Sequence, residues 1–294
     1  MSDLDFSQPL PPKQPAAAPA APPQPVYNAA VAMDFFKAGG KPESFEAGAT
    51  IFAEGDKSSR LLFKRDKMYI VILGEVEMLA QGKALGSIRA GEIFGEMAVI
   101  AQAPRTATAR AKGQCTLIAL DDKQFETALQ AKPEFALMMM SVMNHRLRNT
   151  IARLRASGSL AAGVAHEEGT FDKKLLQGLV RLMGDQEPMR YEKGKVIMQE
   201  GTVGALMYVV LEGKVAISIK GNLIARVSTG GLFGEMALVD QSPRAATAMA
   251  EDDCSLIAIN RPTFLKLVKT SPAFGSSLLA GLAQRAKDMA DRNK

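Results

Sequence analysis

The chain repeats itself. The segment MYIVILGEV at 68–76 returns as MYVVLEGKV at 207–215, and GEIFGEMAVIAQAPRTATA at 91–109 returns as GGLFGEMALVDQSPRAATA at 230–248. Both pairs are offset by 139 residues, and 12 of the 19 positions in the longer pair are identical. The register continues through Cys115/Cys254, Phe125/Phe264, Pro133/Pro272 and Phe135/Phe274. Upstream, Phe45-Glu46-Ala47-Gly48 matches Tyr191-Glu192-Lys193-Gly194 at an offset of 146, so the first copy carries seven extra residues between Gly55 and Met68. A fixed offset over this length marks a tandem duplication, and the fold must be built twice from one plan. With 294 residues in all, each copy is long enough to bury a core of its own.

Within each copy, short β-branched and apolar runs such as MYIVIL and KVAISI are punctuated by glycines, among them Gly74, Gly82, Gly86 and Gly91. Their close spacing predicts a compact antiparallel sandwich or barrel. A helical stretch follows: 122–131, then Pro133 at a helix start, then EFALMMMSVMNHRLRNTIARLR. Met140, Met143, Leu147, Ile151 and Leu154 share one face of that helix. Core packing is the default expectation for such a stripe, and a homodimer seam through helix 134–155 is the sharper alternative. SGSLAAGVAH at 157–166 reads as a hinge, after which Thr170 is placed to cap a helix leading into the second copy. The expected fold is mainly β with α: two tandem antiparallel β-rolls, jelly-roll-like, each with flanking helices. The expected division is a tail at 1–26, one domain at 27–156, a linker and helix at 157–187, and a second domain at 188–294.

Eight of the 15 prolines fall in the first 26 residues, interleaved with alanine. Repeated proline removes backbone donors and fixes φ, so this segment is read as an extended tether, with a ligand for a proline-binding groove as the functional alternative. Apolar residues at 47% and charged residues at 23% exclude disorder for the chain as a whole. The net charge of +5 permits an anionic ligand but is too small to argue for DNA. No run of 18 apolar residues is available for a membrane span, and residues 1–10 carry no secretory signal, so a cytoplasmic protein is expected. Two cysteines and two histidines are too few for a zinc ligand set or a disulfide framework.

The chemistry sits in the longer repeat. Each copy has Phe-Gly-Glu-Met-Ala followed shortly by Pro-Arg-x-Ala-Thr. Gly95 and Gly234 let backbone approach a ligand closely, and a helical turn opening there directs free N–H groups outward as an anion nest. Arg105 and Arg244 supply planar forks matched to two phosphate oxygens. Glu96 and Glu235 accept hydrogen bonds only; beside a phosphate they repel unless they serve another task, such as accepting a ribose hydroxyl. An Arg–Glu salt bridge across the loop is the structural alternative.

These two motifs closely resemble the phosphate-binding cassette of the cyclic nucleotide-binding domain family. The resemblance implies an eight-stranded β-roll whose last flanking helix acts as a mobile lid. It further implies that Arg105 and Arg244 bind the exocyclic phosphate and that Glu96 and Glu235 accept the ribose 2′-OH. The backbone N–H groups of Ala98 and Thr106, and of Ala237 and Ala245, complete the nest in this reading. The family's hydroxyl after the arginine accompanies cGMP preference, which the Thr106/Ala245 difference brings into play. The second site is thus expected to take cAMP, and the first cAMP with admission of cGMP, one hydrogen bond being worth about tenfold. No cofactor beyond this ligand is expected.

Cys115 and Cys254 read as core thiols, and His145 and His166 lack partners at metal spacing. Lys57, Arg60, Lys64, Arg65 and Lys67 make the first copy's insertion basic: a solvated loop, or a docking patch for an acidic partner. No catalytic motif is present. The expectation is a sensor without enzyme activity that signals through a separate, unidentified protein effector. A kinase regulatory subunit also pairs two such domains, which keeps an inhibitor of a signalling enzyme as one alternative, although residues 1–40 contain no Arg. A scaffold that no longer binds nucleotide is the other.

Overall fold

The computed structural model describes residues 27–56, 66–156, 165–167, 169–184, 186–240 and 243–291. The proline-rich tail, most of the basic insertion and the start of the hinge lie outside the described residues. The first copy opens with α1 (Ala29–Gly39), then β1 (Lys41–Phe45), β2 (Thr50–Phe52), β3 (Lys67–Leu73), β4 (Glu75–Ala80), β5 (Lys83–Arg89) and β6 (Ile93–Phe94). A short helix α2 (Glu96–Ile100) leads to β7 (Thr108–Ala111), β8 (Cys115–Asp121), α3 (Asp122–Ala131) and α4 (Glu134–Ala156). A strand β9 (Ala165–Glu167) and helix α5 (Lys173–Met183) connect to the second copy. There β10 (Met189–Tyr191), β11 (Val196–Met198), β12 (Met207–Glu212), β13 (Val215–Ile219), β14 (Asn222–Val227) and β15 (Leu232–Phe233) precede α6 (Glu235–Asp240). The copy ends with β16 (Thr247–Ala250), β17 (Cys254–Ile259), α7 (Arg261–Thr270) and α8 (Pro272–Asp291).

The two rolls share one topology. The sheets β1-β8-β3-β6 and β2-β7-β4-β5 of the first correspond strand for strand to β10-β17-β12-β15 and β11-β16-β13-β14 of the second. Pairing within them is antiparallel throughout, and β9 alone adds a parallel strand, on the edge of β14. Each copy is thus an antiparallel β-roll with flanking helices, as the spacing predicted.

The apolar runs that open these strands are continuous because both of their faces are buried. In β3, Tyr69 and Val71 point into the roll with Phe52, Phe94 and Leu117, while Met68 and Ile70 point outward under the helices. In β12, Tyr208 and Val210 line the second roll, and Met207 and Val209 join the same helical layer. That layer is common to both copies. It gathers Phe35 and Phe36 of α1, Phe125 of α3, Phe135, Met139 and Met140 of α4, Phe264 of α7, and Phe274, Leu278 and Leu282 of α8. Phe135 stacks on Phe35 and meets Phe36 and Phe125 edge-on.

Local chemistry sets the helix ends. Asp121 and Gln124 form a reciprocal capping box at α3, and Asn260 caps α7 ahead of Pro262. Asp172, not Thr170, caps α5, its carboxylate accepting from the Leu175 N–H at 2.7 Å. Thr170 is instead packed against Gly281 of α8, where a Cβ would fall 2.5 Å from its methyl carbon.

The methionine stripe of α4 is covered inside the chain: α4 lies along α8 and also against α6, while α8 reaches α2. Leu147 of α4 belongs to the core of the second roll. Midway along α4, Asn144 is 1% exposed, and neither its amide oxygen nor its amide nitrogen has a hydrogen-bond partner. The second copy has Ala283 at that position, equally buried. Among the described residues no helix is long and apolar enough to cross a membrane.

Candidate functional site

Each cassette begins where a two-residue strand, β6 or β15, ends in a glycine with left-handed backbone, φ 73° at Gly95 and 77° at Gly234. A side chain there would be strained by its backbone and would also strike the arginine, the Cβ falling 2.7 Å from Arg105 Nη1 and 2.8 Å from Arg244 Nη1. The turn aims the helix start, so the first N–H groups of α2 and α6 have no acceptor within their own helix. Glu96 and Glu235 stand first in these helices, Glu96 half-buried and Glu235 4% exposed.

Both arginines are buried, Arg105 at 7% and Arg244 at 6% exposure, and both are held by main-chain carbonyls. Arg105 Nη1 donates to Gly95 O at 2.9 Å and Nη2 to Lys67 O at 2.6 Å, with its guanidinium carbon 4.0 Å above the Phe52 ring. Asp66 Oδ1 lies 3.7 Å from Nη2. Arg244 Nη1 donates to Gly234 O at 2.9 Å, and the missing side chain of Gly204 leaves room for the guanidinium face. Burial pushes both guanidinium groups below the ordinary arginine range; Asp66 opposes this at Arg105, and Tyr208 and Glu235 oppose it at Arg244. Arginine stays charged through shifts of this kind, so each cassette keeps one fixed cation.

The loop after β2 or β11 is clamped to each arginine by paired backbone bonds. Gly55 N donates to Arg105 O and Arg105 N to Asp56 O, both at 2.9 Å. Gly201 N donates to Arg244 O and Arg244 N to Thr202 O at the same distances. The motif threonines finish the clamp: Thr108 Oγ1 accepts from Glu54 N at 2.9 Å and Thr247 Oγ1 from Glu200 N at 3.0 Å. Thr106 is exposed and Ala245 half-buried, while Ala98 is buried in the first turn of α2 and Ala237 stands at the same place in α6.

The structure therefore brings together Gly95, Glu96, Ala98, Arg105 and Thr106 in one loop-and-helix unit, and Gly234, Glu235, Ala237, Arg244 and Ala245 in its twin. The family model for the cyclic nucleotide-binding domain matches residues 42–132 and again 188–271, more than half of the chain. The chain belongs to the cyclic nucleotide-binding domain family. Among curated relatives, the cAMP-dependent protein kinase regulatory subunit of Eremothecium gossypii is 26% identical over 227 residues, covering 75% of this chain and 42% of that protein. The cGMP-dependent protein kinase isozyme 2 of Drosophila melanogaster is 26% identical over 235 residues, covering 77% of this chain and 19% of that protein. The chain thus spans less than half the length of either. A solved cAMP co-crystal of the regulatory domain of Toxoplasma gondii PKA aligns over 85% of this chain and 86% of its own, at 23% identity and TM-score 0.29. Catabolite activator protein of Thermus thermophilus aligns over 42% of this chain and 59% of its own, at 31% identity and TM-score 0.36.

Four members of these cyclic nucleotide-binding units are not evident from the motif alone: Phe52, Asp66, Gly204 and Arg285. Arg285, on α8, donates through Nη2 to Leu232 O and holds Nη1 3.5 Å from Glu235 Oε1. The 139-residue offset aligns it with Arg146 of α4, so a basic pair at matched helix positions was the available signal. Phe52 and Gly204 act through packing on the guanidinium, and only the folded chain brings them there.

Proposed function

We propose that the protein is a two-site cyclic nucleotide sensor whose ligand-dependent output is movement of α4 and α8. In this reading Arg105 and Arg244 each pair with the cyclic phosphate, for which a carbonyl-held fork is already oriented. Glu96 and Glu235 accept the ribose 2′-OH, the one ribose hydroxyl that a 3′,5′-cyclic phosphate leaves free. Backbone N–H groups of Ala98 and Thr106, and of Ala237 and Ala245, close around the phosphate oxygens. cAMP is the expected ligand of the second site; the Thr106 hydroxyl, exposed at the mouth of the first, extends that site to cGMP.

The observation that carries this reading is the arginine itself, buried twice in matched surroundings with main-chain carbonyls as its partners. A buried cation costs several kcal/mol of solvation, and two copies retaining it argue for an anionic ligand. The lid assignment is supported by α8, whose Arg285 touches Glu235 while its body lies along α4. A ligand moves these helices only through its differential affinity for two arrangements. The output is assigned to a separate protein, with a kinase catalytic subunit as the favoured class because the relatives above are kinases and kinase regulatory subunits. The chain's own role is non-enzymatic in this reading.

Calorimetric titration with cAMP, then cGMP, tests it in protein freed of co-purified nucleotide. Two equivalents of cAMP, reduced to one in Arg244→Ala, are expected. No heat and no thermal stabilisation with either nucleotide would sink the reading.

A further inference from the structure

We propose that Asp66 separates the affinities of the two sites, so that the second fills before the first. The proposal rests on the nucleotide reading and adds to it an affinity-setting residue outside the cassette motif.

Arg105 is positioned without help from Asp66. Two carbonyls accept from its two terminal nitrogens at 2.9 and 2.6 Å, and Phe52 supports its face at 4.0 Å. Asp66 stands off at 3.7 Å, beyond hydrogen-bond length, with its side chain 14% exposed. It therefore contributes charge to the site and little orientation. The second copy has Ala205 at the matching position, and Thr202 in place of Asp56. The field on Arg105 includes Asp66, Asp56 and Glu96, whereas Glu235 is the one carboxylate acting on Arg244.

An anion arriving at either arginine meets a similar fork but a different neighbourhood. At the first site its phosphate comes within about 6 Å of the Asp66 carboxylate, a repulsion that weakens binding roughly 3- to 100-fold across effective dielectric constants from water-like to about 20. At the second site that charge is missing. Lys57, Arg60, Lys64 and Arg65 lie between the two aspartates in sequence and carry the opposite charge. Attraction from exposed cations fades as salt rises, while a contact shielded from solvent does not. The separation should therefore be widest at high ionic strength.

Calorimetric titration of the full chain with cAMP, at low and at high salt, reads the two steps. The tighter step is expected to vanish in Arg244→Ala and the weaker in Arg105→Ala. Asp66→Asn, close in shape and uncharged, should tighten the weaker step about tenfold and leave the tighter one alone. Ala205→Asp, at an exposed position, should weaken the tighter step by a similar factor. Two equivalents bound with the weaker step unchanged or weakened in Asp66→Asn would overturn the proposal, as would assignment of the weaker step to Arg244. Binding of no nucleotide by the unaltered chain would overturn the sensor reading and this proposal with it.

Discussion

Gly234 is where backbone geometry and ligand chemistry meet, and replacing it with alanine separates the two. Its φ of 77° costs an alanine about 1–2 kcal/mol in backbone strain. The added Cβ would lie 2.8 Å from Arg244 Nη1 and 3.1 Å from Leu206 O, so the guanidinium has to give way. Losing its 2.9 Å bond to Gly234 O removes a charged hydrogen bond, worth about 1.5–3 kcal/mol. Gly221 provides the control: its φ is 80°, but a Cβ there would meet nothing within 4 Å. Gly221→Ala should therefore lose about 1–2 kcal/mol of stability in denaturant titration and keep both binding steps. Gly234→Ala should lose that much and more, and bind one equivalent of cAMP instead of two. Equal stability losses in the two variants, with two equivalents bound by each, would refute the argument that this glycine makes room for Arg244.

Three further outcomes follow from the packing and the site. Arg285→Gln should weaken the second step about tenfold, because the Glu235 carboxylate loses its helix-borne cation, while the first step is unchanged in calorimetry. Phe135→Ala should cost about 3–5 kcal/mol in denaturant unfolding, since its fully buried ring joins α1, α3 and α4. At alkaline pH, burial pushes the Tyr69 phenol from 10.0 up to about 12, with Glu43 and Asp66 adding to the rise and Arg105 opposing it. The native state thus favours the neutral phenol, so stability is complete below pH 10 and falls as pH climbs toward 12, a decline that Tyr69→Phe should flatten in urea titrations.

The duplication was legible because both copies answer to the same physics. Strands such as β3 and β12 must be apolar on two faces, and the cassette glycines must tolerate left-handed backbone, so both copies keep the same residues there. What escaped the sequence depends on distant segments meeting. The helix α1 opens the first copy within a stretch read only as the start of a domain, and its Phe35 and Phe36 acquire meaning from Phe125 and Phe135 across the fold. Thr170 looked like a cap because threonine caps helices; contact with Gly281 claimed it, and Asp172 took the task. The α4 stripe was open between core and dimer seam, and the partner helix α8 lies 139 residues downstream in register. The glutamate and arginine of each motif were rightly singled out, but the acid found closest to Arg105 is Asp66, from the start of β3.

The unpaired amide of Asn144 bears on how little work a small ligand needs to do. A polar group sealed away without a partner costs about 1–3 kcal/mol, and the alanine at the matching place in α8 carries no such burden. The seam between α4 and α8 is therefore held below the strength its apolar residues could give it. A nucleotide has only its own preference between two arrangements to offer, commonly a few kcal/mol. A seam packed to its full strength would absorb that preference without moving. One asparagine lowers the threshold on the first copy's helix, and the asymmetry makes α4 the end of the pair that yields first.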